Sequence, residues 1–177
     1  MLAAFMGCST LFNFACLIVM TKASAEFSSS NRSAEPDEHN IRALVEAFYA
    51  RVDDDILLRP IFERELTGRW DEHLARMTTF WSSLVLGSKN YRGNVQEVHR
   101  PLGDIEPQHF ARWLALFLDT VQARYEPAAA VQFMEPALRI AQSLQLSKFG
   151  WNYTIPEAQL SLLAKLQEMR RGTDGGA

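Results

Sequence analysis

The sequence predicts an all-α protein, and three observations carry that prediction. Apolar residues recur at i, i+3, i+4 and i+7 in one stretch after another, which is the period of an amphipathic helix. No stretch alternates polar and apolar residues as a half-buried strand would. Pro and Gly fall at the edges of the periodic stretches, where helices start and stop. With 177 residues the chain is long enough for one domain with a substantial core. Its net charge of −3 offers no basic field for nucleic acid. Two cysteines, Cys8 and Cys16, form no CxxC zinc pair and support no disulfide framework.

The chain begins with an apolar leader. Met1 to Thr21 carries no charged side chain, and Ala23-Ser24-Ala25 fits a small-residue cleavage pattern. No Lys or Arg precedes the apolar run, and Ser9, Thr10 and Asn13 dilute it as a membrane span. For residues 1–25 an export signal, a membrane anchor and a misplaced start all remain open. Residues 26–35, rich in Ser, are expected to be a flexible linker. The folded domain is expected over 36–150, followed by a C-terminal helical extension over 151–177.

The helices follow in order. Ile41, Leu44, Val45, Phe48 and Val52 share one face, with Tyr49 beside them. Asp53-Asp54-Asp55 suits a solvated turn. Ile56 to Phe62, broken by Pro60, suits a turn that pushes Phe62 inward. After Thr67-Gly68, the residues Trp70, His73, Leu74, Met77, Phe80, Trp81, Leu84 and Val85 repeat at helical spacing until Gly87. Val95, Val98 and Leu102 place His99 on an apolar face of a short helix stopped by Pro101. A further helix, capped by Asp104 or a neighbour with Pro107 in its first turn, buries Phe110, Trp113, Leu114, Phe117 and Val121. Pro127 starts the next, in which Pro136 should kink the helix or move its start. The extension can form a helix over 156–171, with Leu160, Leu163 and Leu166 near one side and a frayed end.

Five of these positions put a polar or aromatic tip on a buried face: Tyr49, Phe62, His73, His99 and Trp113. A core built for stability alone favours Leu, Ile and Val there, because Tyr, His and Trp must each find a partner when buried. A lone histidine on an apolar face is most simply a satisfied core residue. Several such side chains on different helices suggest an apolar cavity studded with polar groups. A planar aromatic ligand with a metal at its centre suits that cavity.

The pieces Ala47-Phe-Tyr-Ala-Arg-Val52, Arg59-Pro-Ile-Phe62, Trp70-Asp-Glu-His73, Phe80-Trp81, Tyr91-Arg-Gly93, His99-Arg-Pro-Leu102 and Phe110-Ala-Arg-Trp113-Leu-Ala-Leu-Phe117 resemble, in order and spacing, the third group of truncated haemoglobins. The resemblance runs from about Ile41 to Phe149. It implies a truncated globin-like helical domain around haem b, held without thioether links because the chain has no CxxCH site. By the same resemblance His99 is the metal ligand, while Tyr49, His73 and Trp113 face the bound gas. Phe62 packs on the porphyrin, Met77 lines the distal side, Arg76 reaches a propionate and Tyr91 closes the haem edge. The resemblance implies binding of O2 and other diatomic gases, and it leaves room for a reductase partner. A haem-dependent peroxidase, an NO dioxygenase and a haem-free, membrane-tethered interaction domain remain alternatives. The expected compartment is the cytoplasm, or the periplasm or a membrane surface if the leader is a genuine signal or anchor. Membrane contact would then come through residues 1–21.

Overall fold

The computed structural model describes residues 32–174. The leader, both cysteines and most of the expected linker lie outside the described residues, as does the chain end at 175–177. The described residues form seven helices: α1 (Glu38–Asp53), α2 (Arg59–Leu66), α3 (Trp70–Val85), α4 (Val95–His99), α5 (Pro107–Arg124), α6 (Pro127–Phe149) and α7 (Glu157–Asp174). None is long and apolar enough to cross a membrane. Before α1, Ser33 exchanges backbone hydrogen bonds with Arg124 and Glu126, so the end of the expected linker is pinned beside the α5–α6 junction.

Helix α1 starts in a reciprocal cap. Asp37 Oδ1 accepts from the Asn40 amide at 2.7 Å, and Asn40 Oδ1 accepts from the Asp37 amide at 2.8 Å. Its buried face is the expected stripe together with Tyr49. Helix α2 differs from the expected turn. Pro60 sits in its first turn, where a missing N–H costs nothing, so the proline starts a helix there.

The side chain that shapes this start is Asp55, which is almost wholly buried where a solvated turn was expected. Its Oδ1 accepts from the amides of Leu57 and Leu58 at 3.1 and 3.0 Å. Its Oδ2 accepts from Arg112 Nε, on α5, at 2.6 Å. Burial alone would raise the pKa of Asp55. The hydrogen bonds from Arg112, Leu58 and Leu57 outweigh burial and hold the carboxyl below its ordinary value.

Gly68 and Gly87 bracket α3, both with left-handed φ of 74° and 69° that only glycine adopts without cost. Helix α5 is capped by Glu106 and His109, with Pro107 at its first position. Asp104, an expected cap, instead pairs with Arg64. Helix α6 runs unbroken through Pro136, contrary to the expected shift of its start. Pro136 is buried within the helix, at a position where proline leaves one backbone hydrogen bond unmade.

The core lies where α1 crosses α3 and α5, with α6 behind them. Trp81 stacks on Phe117 at 4.7 Å, and Phe133 leans on Trp81 at 5.9 Å. Burying each of these rings stabilises the fold by about 1.5–3 kcal/mol. Helix α7 lies on α6 and α5 and buries Gln159 and Leu166. Of the three leucines expected near one side of this helix, Leu160 and Leu163 are exposed. The inward face is fixed by Gln145 of α6, whose Nε2 donates to Gln159 Oε1 at 3.1 Å. One residue onward the helix has turned by about 100°, which carries Leu160 out to solvent.

Asp55→Ala should lower the urea unfolding free energy by about 1–3 kcal/mol, because two amides and Arg112 lose a buried acceptor. Asp55→Asn keeps an acceptor for the amides and should recover part of the loss. Equal stability of all three proteins in urea would show that α2 starts without this carboxylate.

Candidate functional site

His99 ends α4, and its ring is partly buried. Its Nδ1 lies 2.8 Å from the Val95 carbonyl oxygen, one turn earlier. A carbonyl can only accept, so Nδ1 carries the proton and Nε2 keeps its lone pair. Burial is the largest influence on the pKa of His99 and lowers it, which keeps the ring neutral. The apolar face expected around His99 is only partly present. Val95 packs against the core, whereas Val98 is 52% exposed. Val98 is one residue from His99 and therefore faces away from it.

Helices α1, α2 and α3 bring together a cluster of rings. Tyr49 and His73 meet edge to face, with ring centroids 4.8 Å apart. Phe62 lies 5.8 Å from Tyr49 and 6.4 Å from His73. Trp70 joins them at 6.3 Å from Tyr49 and 6.4 Å from His73. Burial raises the Tyr49 pKa well above its ordinary value, so the hydroxyl keeps its proton and can donate. Burial also lowers His73 to about 4, helped by the charges of Arg76, His99 and Arg69. Its Nε2 is buried without a hydrogen-bond partner, an arrangement that costs about 1–3 kcal/mol unless something fills the space it faces.

Trp113 is absent from that ring cluster and joins it through Phe48. It meets Phe48 at 5.0 Å and stacks on Phe117 at 4.9 Å, while Phe48 meets Tyr49 at 5.0 Å. Met77 is partly buried against the same core, one turn after His73. Tyr91 packs on Phe80 at 5.0 Å, and its amide donates to Ser83 Oγ at 2.9 Å. Its hydroxyl lies so close over Gly93 that a side chain there would push the Tyr91 ring aside. Arg76 is half-exposed and pairs with Glu72 at 2.5 Å. His39 is exposed, and His109 caps α5 by accepting from the Glu106 amide through Nδ1.

Sequence reasoning passed over Trp70 and Phe48 as pocket residues. Trp70 lies three residues before His73 on one helix face, a signal that was available. Phe48 carries no polar tip, and only its contacts mark it.

A family model described as bacterial-like globin matches residues 37–143. The chain belongs to the bacterial-like globins. It is similar to the group 3 truncated haemoglobin ctb of Campylobacter jejuni, 30% identical over 119 residues, covering 64% of this chain and 94% of that protein. The crystal structure of the group III truncated haemoglobin from Campylobacter jejuni superposes with a TM-score of 0.65 at 26% identity, covering 70% of this chain and 99% of that one. These matches bear out the resemblance to the third group of truncated haemoglobins and the all-α globin fold expected from the sequence. Haem b is the usual cofactor of this family, and the residues present fit it. A neutral imidazole whose Nε2 keeps its lone pair, a second imidazole buried without a partner and the aromatic rings packed around it form a suitable donor set. Helix α7 lies beyond the residues that the family model matches.

His73 gives the globin a signature in acid. The unfolded chain protonates it near pH 6.5 and the folded chain only near 4, so acidification between those values favours unfolding. Stability should therefore fall as pH drops through that window, by at most about 1.4 kcal/mol per pH unit from this one group. His73→Gln should flatten the decline in urea or thermal melts taken from pH 7 to pH 4. A curve of the same slope would show that His73 does not titrate in this way.

Proposed function

We propose that this globin binds O2, with NO and CO as further ligands, at a five-coordinate haem iron held by Nε2 of His99. The observation that carries the proposal is the bond between His99 Nδ1 and the Val95 carbonyl, which commits the tautomer and leaves Nε2 free as a ligand. Bound haem would supply an iron on which a diatomic gas takes on partial negative charge.

On the gas side, Tyr49 Oη and Trp113 Nε1 act as hydrogen-bond donors to the ligand. Tyr49 is suited to this because burial keeps its proton in place. His73, neutral at physiological pH, offers Nε2 to the same space. Phe62 and Met77 would pack along the cofactor and exclude water. Arg76, paired with Glu72, would hold a haem propionate, and Tyr91 would cover the haem edge.

Proximal chemistry supports ligand retention over O–O bond cleavage. A carboxylate partner on Nδ1 would raise the basicity of the ligand imidazole, whereas a neutral carbonyl raises it less. Reversible gas binding is therefore favoured over peroxidase action. An NO dioxygenase role would use the same residues and additionally require a reductase.

His99→Ala should lose haem far faster than His39→Ala and change the ferrous absorption spectrum, and free imidazole should restore part of it. Equal haem loss from both variants would remove His99 as the ligand. Tyr49→Phe should speed O2 release by about 10- to 150-fold, the value of one hydrogen bond to a partly charged acceptor. CO release should change much less, because bound CO carries less negative charge. Loss of folding stability with unaltered release of both gases would make Tyr49 a core residue only.

A further inference from the structure

Helix α4 carries the proposed iron ligand, yet little holds it. It has five residues, too few for a helix to persist on local bonds. None of its residues is buried, so apolar packing fixes it weakly. Its main neighbour is α6, where Gln96 Nε2 donates to Ser143 Oγ at 2.8 Å. The remaining restraints fall on the loop that trails His99. Lys148 of α6 donates from Nζ to the Leu102 carbonyl. Arg64 of α2 grips Asp104 with both nitrogens, Nη1 to Oδ2 at 2.7 Å and Nη2 to Oδ1 at 2.8 Å. This fork joins the loop to the helix that bears Phe62, two residues before Arg64.

We propose that Lys148 and Arg64 are positioning residues for the iron ligand, clamping loop 101–104 from α6 and α2 so that the His99 ring keeps one orientation. The proposal rests on His99 being that ligand. The two arms differ in kind. Lys148 bonds a carbonyl from a partly buried position, and salt screens that bond little. Arg64 and Asp104 are an exposed ion pair, which concentrated salt screens almost completely. Proximal geometry thus has one permanent restraint and one that depends on ionic strength.

The test uses the haem-loaded protein and two readouts: the iron–histidine stretching band of the ferrous form, and the rate of haem transfer to excess apomyoglobin. Lys148→Met should broaden or shift the band and speed haem loss by about two- to tenfold, as expected for one lost hydrogen bond. Lys148→Arg should restore both. Arg64→Gln should act in the same direction at low salt, and its difference from wild type should vanish near about 1 M salt. The CO stretching band reports the opposite face and should stay unchanged in both variants. An unchanged iron–histidine band in Lys148→Met would overturn the clamp, as would a parallel shift of the CO band, which indicates general loosening. If His99→Ala retains the iron–histidine band, the ligand assignment itself fails. If His99→Ala loses the band while both clamp variants keep it, the clamp alone fails.

Discussion

The edge-to-face packing of Phe48 is the contact on which the site depends. The ring is almost wholly buried in α1 and meets Tyr49, Trp113 and Phe117 at 5.0–5.2 Å. Aromatic rings at such distances prefer this geometry because the positive edge of one faces the negative face of the other. One apolar side chain therefore sets how α1 meets α5 and places two hydrogen-bonding rings, Tyr49 and Trp113, on either side of itself. A Leu or Val there would bury less area and define neither ring.

Two regions of the site are built by different physics. Tyr49, Phe62, Trp70 and His73 lock one another through ring contacts within an apolar setting, which raises the Tyr49 pKa and lowers that of His73. The region of His99 is held by polar bonds: His99 to Val95, Gln96 to Ser143, and the cations Lys148 of α6 and Arg64 of α2 to the trailing loop. Close packing resists small displacements, whereas single hydrogen bonds break and reform at modest cost.

Helix α7 extends the globin fold beyond the family match and is keyed by polar side chains. Gln145 and Gln159 are both buried and bonded to each other, and Gln145 also donates to the Ala141 carbonyl. A buried amide pair adds little net stability but penalises every rotation of α7 that would separate it. It therefore selects which face of a weakly amphipathic helix turns inward.

Periodicity alone determined the helical class, the buried stripe of α1 and the glycine stops, because helical spacing and backbone sterics act locally, whereas in α3 only Phe80 and Trp81 of the expected stripe are buried and Leu84 is exposed. The order of short motifs was enough for the globin resemblance and for the set of histidines and aromatics it implies. Tertiary structure decided what depends on neighbours distant in sequence. Asp55 became a buried acceptor because Arg112, 57 residues later, reaches it. Ile56 to Phe62 yielded a helix start because that carboxylate holds the amides of Leu57 and Leu58. Pro136 stayed inside α6, where it is buried. Leu160 turned outward because the bond from Gln145 to Gln159 sets the rotation of α7. Apolar periodicity names the face a helix prefers to bury, but a hydrogen bond that exists only in the assembled fold fixes the final angle.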